Sequence, residues 1–138
     1  MQSRLNPYIS FKGDAREAME FYTSVFGGKL TINTFAESHV PESMGSGDKV
    51  MHAMLETDAG FVLMASDTPE GMPHNPGNNV QISLSGDNAT ELQGYWDKLS
   101  AGAAVSMPLD KAPWGDTFGM LTDKFGIGWM VNITAPNT

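Results

Sequence analysis

Three histidines, three tryptophans and ten methionines carry most of the chemistry this sequence offers, because it contains no cysteine. Without a thiol there is no disulfide, no thiolate metal site and no cysteine nucleophile. No Ser–His–Asp order, phosphate-cradling glycine loop or paired-cysteine motif is present either. His39 and His74 fall in stretches rich in Pro, Gly and Ser or Asn, where an imidazole is ordinarily solvated. His52 stands instead in a strand-like run, flanked by Met51 and Ala53 and sharing a face with Met54 and Glu56. So placed, it is either a general acid or base near neutral pH or a hydrogen-bonded strand residue without chemistry. It does not chelate an ion together with Glu56, since four strand residues separate their α-carbons by about 13 Å. Met51, Met54, Met64, Met107, Met120 and Met130 also lie in strand-like segments. A flexible, polarizable wall of that kind suits apolar or aromatic ligands, and plain core packing accounts for the same residues. Trp114 and Trp129 are candidates for stacking on a planar ligand, whereas Trp96, on a helix face, belongs to the core. Carboxylates are plentiful, but their positions single out no acid–base pair.

The scaffold that positions these side chains is written twice. Ile9-Ser10-Phe11-Lys12-Gly13-Asp14 recurs 73 residues later as Ile82-Ser83-Leu84-Ser85-Gly86-Asp87, with four of six positions identical. A helical pattern follows each copy: Ala18, Met19, Phe21, Tyr22 and Phe26 mark one apolar face, and Leu92, Tyr95, Trp96 and Leu99 the other. Asp14 and Asp87 are placed to cap these helices, and Gly27-Gly28 and Gly102 to end them. Three strands follow each helix, over 29–37, 50–57 and 61–66 in the first module and 103–107, 117–122 and 127–134 in the second. The order is βαβββ, twice, an α+β arrangement. Module one covers 5–66 and module two 80–134 of a single domain, 1–138. The linker 67–79 holds three prolines, two glycines and three asparagines and is poor in regular structure. It serves as a connector or as a gate.

A chain of 138 residues, 41% hydrophobic, buries one sizeable core and is too short for two full-sized domains. Its formal charge of −8 repels phosphate backbones, which argues against nucleic acid as a partner and mildly favours a cationic ligand. The opening residues lack a signal peptide's apolar core, and no apolar run is long enough to span a bilayer, so a soluble, cytoplasmic protein without a membrane partner is expected.

The paired βαβββ pattern resembles the glyoxalase/bleomycin-resistance (vicinal oxygen chelate) superfamily. Several stretches resemble its PhnB-like branch: Pro7-Tyr8-Ile9-Ser10-Phe11, Ala18-Met19-Glu20-Phe21-Tyr22, and above all Phe118-Gly119 with Thr122-Asp123-Lys124-Phe125-Gly126 leading to Trp129-Met130-Val131-Asn132. The likeness implies cupped sheets around a cavity and a homodimer. Relatives of this branch have been labelled demethylubiquinone methyltransferase-like, but no glycine-rich cofactor turn follows a strand here. Metal-dependent members hold a divalent ion through His, Gln or Glu in each module's first strand and Glu in each last strand. Carried onto this chain by strand alternation and the turns at Gly60 and Gly126, those positions are Tyr8, Met64, Gln81 and Met130. Two thioethers, a phenol and a neutral amide do not suit the family's ions, so neither metal nor cofactor is expected. The resemblance thus implies a small-molecule ligand in a metal-free cavity lined by Tyr8, His52, Met64, Gln81, Trp114 and Met130. The alternative is a lyase, isomerase or dioxygenase-type enzyme of the same superfamily.

Overall fold

Alternation of apolar and polar residues, interrupted by two stretches of helical period, yields ten elements in the computed structural model, which describes residues 3–37, 47–69 and 71–135. His39 lies outside the described residues. By internal packing the chain divides into two compact units, Met1–Pro76 and Gly77–Thr138. Each follows the expected βαβββ order, and the class is α+β. Among the described residues no helix is long and apolar enough to cross a membrane.

Unit one contains β1 (Tyr8–Phe11), α1 (Ala15–Phe26), β2 (Lys29–Thr34), β3 (Val50–Glu56) and β4 (Val62–Asp67), with sheet order β1-β4-β3-β2. The α1 crossover makes β1 parallel to β4, while the remaining pairs are antiparallel. Ala15, Ala18, Met19, Tyr22 and Val25 recur at helical spacing and are buried where α1 packs on β2, β3 and β4. Burial of each large side chain in that stripe contributes about 1.5–3 kcal/mol. Asp14 occupies the N-cap position of α1, but its side chain makes no capping bond. The buried carboxylate of Asp67, at the end of β4, does this instead. Its Oδ1 accepts the backbone N–H groups of Gly13 (3.0 Å) and Ala15 (2.9 Å), and its Oδ2 that of Val50 (2.8 Å). β2 stops at Thr34, short of the expected residue 37. There the Thr34 hydroxyl donates to Glu37 Oε1 (2.9 Å) and accepts from the Glu37 N–H (3.1 Å), which turns the chain.

Unit two contains β5 (Ile82–Gly86), α2 (Ala89–Leu99), β6 (Ala104–Lys111), β7 (Thr117–Thr122) and β8 (Gly128–Ile133), ordered β5-β8-β7-β6. Leu92, Trp96 and Leu99 are buried as α2 packs on β5 and β8. The cap is Asn88 rather than Asp87: its Oδ1 accepts the Glu91 N–H at 3.1 Å. β6 runs past Pro108 to Lys111, beyond the expected end at 107. As the edge strand, with register shifts between Val105 and Met107 and again between Met107 and Asp110, it tolerates a residue that lacks an N–H. Gly119 in β7 permits the closest approach in this unit, since a Cβ there would lie 2.8 Å from both the Leu109 α-carbon and the Trp96 ring. Trp129 is core, 1% exposed, and unavailable for stacking on a ligand. Its Nε1–H donates to Asp123 Oδ2 at 2.8 Å, while Asp123 Oδ1 accepts from the N–H groups of Phe125 and Ile127. The most family-specific stretch of the sequence is therefore a turn held by a buried carboxylate.

Candidate functional site

Each sheet has one face under its helix and one that the helix leaves open. In unit one Phe11, Ala53, Leu55, Leu63, Ala65 and Asp67 alternate onto the helix side and are buried. The opposite face carries the row Tyr8, Met64, Met54 and Thr31, paired strand to strand across the sheet. Ser10 and Ser66 pair one step along, and His52 pairs with Asn33. Tyr8 is 52% exposed, His52 and Met64 are half-buried, and the Tyr8 and His52 rings lie 6.0 Å apart. Three of the six candidate residues, Tyr8, His52 and Met64, thus share one face. His74 is not a merely solvated loop histidine: in the tautomer protonated at Nε2 it donates to the Ser10 carbonyl at 3.0 Å, covering part of the edge strand β1.

In unit two the open face carries the row Ser83, Met130, Met120 and Met107, and beside it the row Ser85, Asn132, Phe118 and Asp110. Gln81, just before β5, lays its side chain where a Cβ on Gly128 would stand, 2.9 Å from Gln81 Cγ. Its amide Nε2 donates to the Asn78 carbonyl at 3.5 Å. Trp114, in the turn between β6 and β7, is 61% exposed and meets the Phe118 ring edge-on with centroids 5.5 Å apart. Close by, Asp116 accepts the Ala135 N–H at 2.9 Å and the Asn132 side-chain amide at 3.0 Å. Those two bonds, the backbone one first, hold its carboxyl below the usual carboxylate range against a smaller opposing effect of burial. Sequence reasoning had Phe118 only as part of a motif. Its two-residue spacing from Met120 on β7 is the signal that assigns it to the open face.

The pairing corrects one correspondence. Displacement by 73 makes Gln81 the counterpart of Tyr8, but Tyr8 stands opposite Met64 whereas Ser83 stands opposite Met130. The literal repeat and the structural repeat thus differ by two residues, and the strand-to-helix connection is one residue shorter in unit two. Neither version provides a donor set for the family's divalent ion. Opposite Met64 is a phenol, opposite Met130 a hydroxyl, and hard or borderline ions want carboxylate or imidazole. Among the described residues no three His, Asp or Glu side chains gather as metal ligands. A cavity of about 370 Å³ lies elsewhere, at the β3–β4 turn, lined by Arg4, Leu5, Glu56 and Phe61 among others and by none of the six candidates.

The chain is 36% identical to protein PA1353 from Pseudomonas aeruginosa, whose crystal structure matches with a TM-score of 0.86 over 98% of this chain and 100% of that one. Protein YjdN of Escherichia coli is 27% identical over 140 residues, covering 94% of each chain. A Bacillus cereus PhnB protein, described as a putative 3-demethylubiquinone-9 3-methyltransferase, shares the fold with a TM-score of 0.74 at 24% identity, over 96% of this chain and 100% of that one. Residues 4–131 match the family model itself. With that span matched, the chain belongs to the Glyoxalase/Bleomycin resistance protein/Dioxygenase superfamily.

Proposed function

We propose that this protein binds a small organic molecule, aromatic and preferably cationic, on the open sheet faces that carry Tyr8, His52 and Met64 in unit one and Gln81, Trp114 and Met130 in unit two. It does so without the divalent ion of its metal-dependent relatives, as a cytoplasmic homodimer. The observation that carries this reading is Trp114: a tryptophan 61% exposed, seated on Phe118 at the end of a methionine-bearing face, is an aromatic platform with an open side. Asp116, two positions along the chain, contributes a negative charge that favours a positive one on the ligand. A second reading, a lyase, isomerase or dioxygenase-type enzyme, draws on the half-buried His52 facing Tyr8, which has the exposure a general acid or base needs.

The test is a fluorescence titration with a planar aromatic cation such as proflavine and with an uncharged analogue of the same shape, beside thermal scans with Ni²⁺, Zn²⁺, Mn²⁺ and Mg²⁺. Saturable binding that favours the cation is expected, and Trp114→Ala weakens it by about 1–3 kcal/mol. Melting temperature stays flat with all four ions. Stoichiometric stabilisation by any of them, or unchanged affinity in the Trp114 variant, overturns the reading. Light scattering should return twice the 14.9 kDa chain mass. If the parent turns over a substrate and His52→Gln abolishes that turnover while leaving binding intact, the enzyme reading gains.

A further inference from the structure

The methionines of unit two are arranged in a way that neither core packing nor the family's metal chemistry uses. Met107 on β6 pairs with Met120 on β7, which pairs with Met130 on β8, so three thioethers stand side by side on one face of three adjacent strands. A methionine recruited for packing is buried, as Met19 is at 0% exposure. These three are not: Met107 is 46% exposed, and Met120 and Met130 are half-buried on the side away from α2. Neighbouring strands are about 4.8 Å apart, and a methionine side chain has three rotatable bonds, so outer thioethers can lean over a central one and bring their sulfurs to a common point. The donors that make this face useless for Mg²⁺ or Zn²⁺ select soft ions, and thioether ligands favour Cu(I).

We propose that Met107, Met120 and Met130 form a binding site for a soft monovalent cation of the Cu(I) and Ag(I) class. The equivalent row in unit one, Tyr8, Met64, Met54 and Thr31, offers two thioethers between a phenol and a hydroxyl. Three-sulfur coordination is therefore particular to unit two. The protein's net charge of −8 raises the local concentration of any cation at its surface. Asp110, paired with Phe118 on the same face, adds an anion close to the site. The site shares Met130 with the face proposed above for an organic ligand but rests on the thioether row alone, so silver binding and proflavine binding can each fail without the other.

The experiment uses the full chain and Ag(I), which needs no reductant, in chloride- and thiol-free buffer, followed by calorimetry and native mass spectrometry. Cu(I) is then titrated in competition with bicinchoninate. One ion bound per chain is expected, with Met120→Leu lowering affinity by roughly tenfold or more, because the central donor is lost. Leucine nearly conserves the volume, so the variant should melt close to the parent. If it does not fold, Met107→Leu on the edge strand carries the same test. The Met54→Leu variant in unit one should bind as the parent does. Absence of a retained ion, full affinity in the Met120 variant, or loss of binding only in the Met54 variant overturns the proposal.

Discussion

Unit one places its buried carboxylate, Asp67, where β4 ends, and unit two places its own, Asp123, where the β7–β8 hairpin turns. The strand end occupied by Asp67 is occupied in unit two by the apolar Ile133, which pairs with Gly86 as Asp67 pairs with Phe11. The turn that Asp123 organises is organised in unit one by Thr57, whose hydroxyl accepts the Phe61 N–H at 3.0 Å. The same backbone path thus has its awkward N–H groups met by different means. In unit two the helix start is capped locally by Asn88, which frees the strand end to be apolar. In unit one the cap reaches in from β4 and also ties down the first residue of β3.

The largest expected effect follows from that difference. Asp67→Ala orphans three backbone N–H groups at once and should cost about 3–5 kcal/mol, measurable as a lower denaturant midpoint. Amide exchange should rise first at the start of α1 and at Val50. A loss below about 1 kcal/mol would mean that water replaces the carboxylate and that the two units are capped equivalently after all. Asp123→Ala should cost somewhat less, about 2–4 kcal/mol: it strands the buried Trp129 indole N–H, but Phe125 and Ile127 are only half-buried and their N–H groups can turn to solvent. Exchange should speed up around β7 and β8 while α1 stays protected, and a change spread evenly over both units would break the contrast.

Gly119→Ala sharpens the comparison at another matched point. Gly119 pairs with Val131, and the corresponding residue in unit one is Ala53, paired with Ala65. The added methyl should cost about 1–3 kcal/mol against the Leu109 backbone and the Trp96 ring. A neutral result would show that β6 moves away freely at its register shift.

The smallest effect is pH-dependent. The Asp116 carboxyl is held below its ordinary 3.8 by the Ala135 N–H and the Asn132 amide. Its contribution is therefore present above that unfolded value and disappears as pH falls through the lower folded one. The stability difference between the parent and Asp116→Asn should thus be constant near neutral pH and shrink only on acidification below about pH 4. Melting curves from pH 7 to 3 check this, and a difference that shrinks already between pH 7 and 5 would point to another group.

Much of the scaffold was legible in the residues. Alternation along β1 and β3, the helical stripe from Ala18 to Tyr22 and the turn residues at Gly60 and Gly126 follow from local geometry, so the βαβββ order and the shared face of Tyr8 and Met64 could be read directly. Trp96 was rightly assigned to the core. Where the reading slipped, a distant partner decided the outcome. Asp14 has the right residue type and position for a cap, yet the bonds go to Asp67, 53 positions along the chain. The repeat made Gln81 the counterpart of Tyr8, whereas the pairing of β5 with β8 puts Ser83 in the position opposite Met130 that Tyr8 holds opposite Met64.

Residue type and period therefore determined the elements, the family resemblance and the thioether, phenol and amide side chains at Met64, Met130, Tyr8 and Gln81. They act over a few neighbouring residues and so are written in the chain itself. Tertiary structure alone decided that Trp129 is buried on Asp123 while Trp114 is exposed on Phe118, and that Met107, Met120 and Met130 fall into one row. Strand register and hydrogen-bond partners bring together residues tens of positions apart, and a sequence does not carry that information until the chain has closed on itself.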